Sequence, residues 1–125
     1  MNAISWFELP AIDIERAQKF YETIFEIKMV NLDNTQLAMR VFPVQEMMKN
    51  VSGAIVHNKD FYTPSGNQGP LVYLNANPDL QHVLDKVEGA GGKVFIPKTK
   101  INDEFGYMAI FLDSEGNRVG LQSIN

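Results

Sequence analysis

The sequence predicts an α+β fold: two tandem β-α-β-β-β modules forming a curved mixed sheet around a cup. Three observations predict it. The chain reads strand, helix, strand, strand, strand, and then the same order begins again. A stretch rich in turn residues, 59–69, carrying Pro64, Ser65, Gly66, Asn67 and Gly69, separates the two runs. Each helical segment has a single apolar stripe at spacings of three and four. The modules fall at 3–58 and 70–125 within one domain, 1–125. Identity between the halves is slight, so the order of elements carries the reading. A repeat of this kind implies that neither unit closes a core alone, and the concave space between two curled sheets is where ligands tend to bind.

The opening segment, Ile4 to Pro10, is rich in β-formers and closes on a proline, which reads as a strand. Ile14, Ala17, Phe20, Tyr21 and Ile24 then build a helical stripe, with Glu15, Arg16, Lys19 and Glu22 on the other side. Asp13 is the expected N-cap, since its carboxylate can accept from unpaired N–H groups of the first turn. The helix should end near Phe25. The period then shifts towards two, with strands expected near Ile27–Asn31, Thr35–Phe42 and Ser52–His57. Asp33-Asn34 has turn chemistry, and Pro43–Asn50 reads as a loop. In the second run Leu71–Asn75 reads as a strand. Asn77-Pro78 reads as an N-cap followed by proline at the first helical position. Leu80, Val83, Leu84 and Val87 form the stripe, and Gly89-Ala90-Gly91-Gly92 stops the helix. Strands follow near Lys93–Ile96, Phe105–Leu112 and Arg118–Ser123, the last two joined by a tight turn at Asp113–Asn117.

Composition narrows the function. The 125 residues are 45% hydrophobic and 21% charged, an ordinary globular mixture. Eleven Lys and Arg against 15 Asp and Glu give a formal charge of −4, without any basic run, which argues against a nucleic-acid partner. The absence of cysteine removes disulfides, thiolate metal sites and Cys nucleophiles. With only His57 and His82, a three-histidine metal centre within one chain is impossible. No apolar stretch approaches the ~18 residues of a membrane span, and no basic leader with an apolar core opens the chain. The expectation is a cytoplasmic protein with no membrane partner. Gly89–Gly92 ends a helix, whereas phosphate cradles open one. The serines lack the elbow and the partners of a serine hydrolase.

Three local patterns carry a resemblance that spans Ile4 to Ser123. They are Asp13–Phe25, with its Asp-x-x-x-Ala-x-x-Phe-Tyr core, then Leu84–Val94, then the hairpin Phe111–Leu121. In this order and spacing the chain resembles the vicinal oxygen chelate superfamily, the glyoxalase, bleomycin-resistance and extradiol-dioxygenase group. The resemblance implies four metal ligands in the cup, drawn from His, Glu and Gln, which hold a divalent ion against a vicinal oxygen pair. It places those corners at Trp6, near Ala54, near Pro70 and at Gly120. None of these side chains can bind a metal. A slip in alignment leaves one alternative, a site built from Glu8, Gln122 and a substrate. The other reading is a cup without metal or cofactor. The resemblance also implies a homodimer, in which partners complete each other's cups, and the exposed edges of each sheet need covering.

Six residues are candidates for the ligand site: Trp6, Glu8, Arg40, Val56, Met108 and Gln122. Trp6 is either a stacking wall for a planar or apolar ligand or a plug for the cavity. Glu8 shares its strand face. As an enclosed carboxylate it is the candidate general base or the anchor of a cationic ligand, and otherwise a structural hydrogen-bond acceptor. Arg40 has no sequence-local partner and is a candidate mate for Glu8. Gln122 shares a face with Gly120 and could hydrogen-bond a ligand. Met39, Met47, Met48 and Met108 line the cup or belong to the core. His57 reads as a strand-end residue, His82 as an outer helix residue, and Phe20 and Tyr21 as core.

These residues support a protein that binds a small, partly apolar molecule in a cup lacking the usual metal ligands. The rival is a lyase or isomerase of the glyoxalase type, metal-dependent through unrecognised ligands or using Glu8 as general base. A third possibility, an accessory subunit, has nothing in the sequence to favour it.

Overall fold

A computed structural model of the chain describes residues 2–33, 37–46 and 49–125. Within them lie two four-stranded mixed sheets of the same topology. The first contains β1 (Trp6–Pro10), β2 (Val30–Asn31), β3 (Ala38–Val41) and β4 (Ser52–His57), in the order β1-β4-β3-β2. The second contains β5 (Tyr73–Asn75), β6 (Lys93–Asn102), β7 (Gly106–Leu112) and β8 (Arg118–Ser123), in the order β5-β8-β7-β6. In each sheet the first strand runs parallel to the last, and a helix makes the crossover: α1 (Ile14–Phe25) or α2 (Leu80–Leu84).

The α1 stripe behaves as its spacing requires. Ala17, Phe20, Tyr21 and Ile24 are buried. Asp13 caps the helix, its Oδ1 accepting from the Arg16 amide at 3.0 Å. Glu26 ends it in the left-handed region at φ 55°, with its N–H donating to the Glu22 carbonyl. Strand alternation then sorts the first sheet into two faces. Phe7, Leu9 and Ile55 turn towards the helices, while Trp6, Glu8, Ala54 and Val56 turn away. The helix-side residues of both sheets enter one core, where Leu9 and Ile55 meet Leu74, Phe111, Val119 and Leu121. Neither half has a separate main core, as the repeat implied.

Some boundaries differ from expectation. Strands β2 and β3 are shorter than Ile27–Asn31 and Thr35–Phe42; residues 34–36, and with them the expected turn at Asn34, lie outside the described residues. So do Met47 and Met48. Helix α2 is capped by Asp79, not Asn77, because Asp79 Oδ1 accepts from the Gln81 amide at 2.9 Å. The Asn77 side chain is engaged elsewhere, accepting from the Ile124 amide at 2.7 Å. Beyond Leu84 the chain continues as turns, which still bury Val87. Strand β6 continues six residues past Ile96, because β7 offers it ladder partners as far as Gly106; the register shifts around Pro97 accommodate its missing N–H.

The turn at 113–117 does more than reverse the chain. The Glu115 carboxylate accepts from the Ile12 amide (2.9 Å), the Asp13 amide (2.7 Å) and the Arg16 guanidinium (2.7 and 3.0 Å). Its side chain is fully buried at the start of α1, where the partial positive charge of the helix favours an anion. Asn117 donates to the Pro10 carbonyl at 2.7 Å, and Tyr21 donates to Asp113 at 2.7 Å. Burial alone would push the Glu115 carboxyl up, but the bonds from Arg16, Asp13 and Ser114 outweigh it and hold it below its ordinary value. Burial does push Asp113 up, against the pull of Tyr21 and Asn117, and it raises the Tyr21 phenol too.

A carboxyl held low in the fold contributes stability above its unfolded-state pKa and loses it as pH falls through the folded value. Glu115→Gln should therefore cost about 2 kcal/mol at neutral pH, the scale of a charge-assisted bond. The gap from wild type should shrink below the ordinary glutamate range. Urea unfolding of both proteins across that range checks this; a gap independent of pH would show that the charge is not what matters.

Candidate functional site

Alternation along β1 places Trp6, Glu8 and Pro10 on the face turned away from the helices. Glu8 stands directly opposite Ala54, whose small side chain is fully buried. Both Glu8 oxygens have donors: Oε2 accepts from Trp6 Nε1–H at 3.1 Å, and Oε1 from the Tyr62 hydroxyl at 2.6 Å. Tyr62 arrives from the loop after β4, where its amide closes a turn onto the Asn58 carbonyl at 2.9 Å. Its ring packs on Met39, Val41, Ala54 and Val56, covering that part of the sheet. The hydrogen bond to Glu8 raises the Tyr62 phenol above its usual value, with smaller contributions from burial and from the carboxylate charge.

A cleft of about 360 Å³ adjoins this group. Trp6, Glu8 and Pro10 form one wall, the loop through Gly69 and Pro70 another, and Arg118, at the first residue of β8, lines it as well. The volume lies within the range of small-molecule sites. A larger cavity, about 560 Å³, opens near Phe7, Phe25 and Phe42 and borders on Asn75 and Asn77. No charged side chain lines it, so it offers no titratable group for chemistry.

The six predicted residues do not converge. Trp6, 37% exposed, and Glu8 line the cleft together. Val56 shares their sheet face but is wholly buried beneath the Tyr62 cluster. Arg40 is on the other face, so it is not the mate of Glu8. Its Nε donates to Gln18 of α1 at 2.7 Å and its Nη1 pairs with Asp33 at 2.7 Å. The reason is parity: Arg40 lies opposite Ile55 in the ladder, one residue out of phase with Met39 and Val41. Met108 and Gln122 face each other in the second sheet, away from the helices. Gln122 is exposed and donates to the Phe105 carbonyl at 3.0 Å. His57 Nδ1 lies 2.9 Å from the Ala11 carbonyl, and His82 is exposed on α2.

Tyr62 and Arg118 were not candidates. A tyrosine in a polar loop is a weak signal, and an arginine opening a strand is none. Their roles follow from the loop folding back over β1.

Backbone pairing fixes the equivalence of the two halves. The Ala11 amide bonds the Val56 carbonyl (2.9 Å) as the Ala76 amide bonds that of Gln122 (2.8 Å). The counterpart of Ala54 is therefore Gly120, that of Glu8 is Tyr73, and that of Trp6 is Leu71, one residue from Pro70. None of Trp6, Ala54, Leu71, Pro70 or Gly120 carries an oxygen or imidazole donor. Among the described residues no three His, Asp or Glu side chains gather in a group able to hold a metal. At Gly120 a side chain has no space, because even a Cβ would collide with the Tyr73 ring.

This architecture recurs in solved structures. Glyoxalase I from Zea mays superposes with a TM-score of 0.75 at 22% identity over 96% of this chain. The chain spans less than half of that protein, 45% of its length. Glyoxalase I from Leishmania major gives a TM-score of 0.71 at 12% identity, covering 99% of this chain and 88% of that one. A glyoxalase/bleomycin resistance protein from Albidiferax ferrireducens gives 0.64 at 15% identity, with 98% of both chains covered. No family model matches the chain, and no curated protein matches it. The chain thus has the vicinal oxygen chelate fold, that of the glyoxalase, bleomycin-resistance and dioxygenase proteins.

Two outcomes follow from the site geometry. Glu8→Gln should lower the pH at which Tyr62 ionises, seen as phenolate absorbance appearing earlier than in wild type; an unchanged titration would mean that the Tyr62–Glu8 bond does not form in solution. Gly120→Ala should destabilise by about 1–3 kcal/mol through overpacking. Adding Tyr73→Ala should recover part of that loss, a coupling measurable by a double-mutant cycle.

Proposed function

We propose that this chain binds a small, partly apolar molecule in the cleft beside Trp6 and Glu8, without a divalent metal. The observation that carries this reading is the Trp6–Glu8–Tyr62 group. A fixed carboxylate stands between two aromatic side chains at the mouth of a cleft of ligand size. Apolar walls with a few placed polar groups are the usual composition of a small-molecule site. The corners where the fold's relatives would place metal ligands carry indole, methyl, isobutyl or pyrrolidine, and hydrogen. That donor set does not fit a divalent ion, so no step is drawn through one.

The likeness to glyoxalase I proteins supports a second reading, a lyase or isomerase in which Glu8 takes the substrate proton. Each of its oxygens accepts one hydrogen bond and keeps a further lone pair, so Glu8 could still take a proton from a molecule in the cleft.

The reading includes a homodimer. In the second half Phe95 (65% exposed), Phe105 (53%) and Ile101 (45%) lie on or beside the edge strand β6. Apolar side chains along an unpaired edge are what a second copy would cover. Placement in the cytoplasm also belongs to this proposal; among the described residues no helix is long and apolar enough to cross a membrane.

Trp6 is the only tryptophan in the chain, and it lines both this cleft and a neighbouring hollow of about 400 Å³ beside Lys49 and Asn50, so its emission reports on a molecule in either. A binding molecule should change that emission saturably. At 100 times its dissociation constant it should also stabilise the protein by about 2.7 kcal/mol. Trp6→Ala should weaken binding at least about tenfold with the fold intact, as removal of an aromatic anchor does. Stabilisation undiminished in Trp6→Ala would place the ligand elsewhere.

A further inference from the structure

The outer face of the first sheet is apolar where a solvated face would be polar. Met39, Val41, Ala54 and Val56 are buried there, in a cluster apart from the main core. Every residue of β4 except His57 is buried, so that strand is covered on both faces. The partly buried apolar side chains packed on the outer cluster are Leu37 and Tyr62. Two tyrosines of the chain donate to carboxylates, and their surroundings differ. Tyr21 is fully buried in the main core and donates to Asp113 at 2.7 Å. Tyr62 is half-buried and donates to Glu8 at 2.6 Å from a loop. That loop is tied at two points. The Phe61 and Tyr62 amides bond the Asn58 carbonyl (3.1 and 2.9 Å), and the Arg118 amide bonds the Ser65 carbonyl (3.3 Å). Between these ties Pro64 has no N–H, and the Tyr62 hydroxyl makes the one hydrogen bond to a strand found among the described residues. The neighbouring Phe61 ring is 83% exposed.

We infer that Tyr62 is a displaceable occupant of the ligand seat, and that the molecule it makes way for is a neutral aromatic with one hydrogen-bond donor. The inference rests on the binding reading above and adds the floor of the seat and the ligand's class. The cleft reaches Glu8 and Thr63, but none of the four floor residues lines it. Swinging residues 61–64 outward about the ties at 58 and 65 joins cleft and floor. The exchange is nearly balanced for polar groups, because Glu8 loses the Tyr62 hydroxyl and gains the ligand's donor. The side chain in place shows what fits: a flat ring on Met39, Val41, Ala54 and Val56, with one O–H aimed at a carboxylate. A neutral aromatic with one donor reproduces both contacts. Charge points the same way. The cleft lining holds one acid and one base, Glu8 and Arg118, and a neutral ligand leaves that balance unchanged. The tethered Tyr62 ring competes as though present at about millimolar concentration, so it sets the affinity a ligand must exceed.

The test follows Tyr62 itself. Protein labelled with 3-fluorotyrosine gives a fluorine resonance for each of its four tyrosines, and Tyr62→Phe identifies that of Tyr62. The probe is p-cresol, with toluene as the counterpart lacking the donor. In the wild-type protein p-cresol should move the Tyr62 resonance saturably towards that of a solvent-exposed tyrosine, together with the Trp6 indole N–H resonance. Tyr62→Ala removes the competitor and should bind p-cresol at least about tenfold more tightly than wild type. In that variant toluene should bind at least about fivefold more weakly than p-cresol, the scale of one hydrogen bond. The wild-type displacement stands as a test even if Tyr62→Ala folds poorly. If p-cresol moves the Trp6 signal while Tyr62 stays, the ligand lies beside a fixed Tyr62; the inference falls and the binding reading stands. Equal affinity of wild type and Tyr62→Ala overturns the competition, and tighter binding of toluene overturns the role of the donor. If neither resonance moves, no aromatic of this class enters the seat and the inference falls; the emission titration with other molecules decides the binding reading separately.

Discussion

The site depends on a carboxylate that never reaches it. Glu115, at the tip of the β7–β8 hairpin, is buried against the start of α1 and takes the Ile12 and Asp13 amides and the Arg16 guanidinium. Asn117 holds the Pro10 carbonyl from the same turn. These bonds tie the end of β1 to the beginning of β8, although about a hundred residues separate them in sequence. Glu8 and Trp6 lie on β1, and Arg118 opens β8. The spacing across the cleft is therefore set by a clasp a few residues away, in which a charged group, a helix terminus and two backbone amides satisfy one another.

This arrangement explains why the halves share a core while their outer faces differ. Helix-side residues of both sheets interlock, with Phe111 of the second sheet against both Phe20 and Tyr21 of α1. The buried Tyr21 hydroxyl donates to Asp113 of the β7–β8 turn. On the outer faces the two halves diverge at equivalent positions. The first half pairs Glu8 with Ala54, and the Tyr62 ring covers that part of the sheet. The second pairs Tyr73 with Gly120 and fills the corresponding space with a ring. The outer face thus has a polar group at Glu8 in the first half and aromatic packing at Tyr73 in the second.

Polar satisfaction differs among the charged groups around the two sheets. Arg40, Gln18 and Asp33 form a closed set beside α1. Tyr62, Trp6 and Glu8 are closed too, but exposed on one side. Arg118 donates from Nη2 to the Gly69 carbonyl, while among the described residues its enclosed Nε–H has no acceptor. Charge by itself would have ranked Arg40 and Arg118 alike; their accounts of donors and acceptors tell them apart.

The sequence by itself determined the element order, the α1 cap and stripe, and the limits of β4 and β8. These are local matters: hydrophobic period, capping chemistry and residue identity at a counted position. It also placed Trp6 and Glu8 on one face, since a strand's parity needs no partner. Tertiary structure decided the rest. Arg40 turned out to face α1, because parity within a strand does not say which face meets the helix. Glu8 was matched to Tyr62 across 54 residues, and Arg118 was brought to the cleft by a loop whose path no period describes. The turn at 113–117 was legible as a turn but not as a clasp. Its partners, Pro10, Ile12, Asp13 and Arg16, are neighbours only once both sheets close on one core.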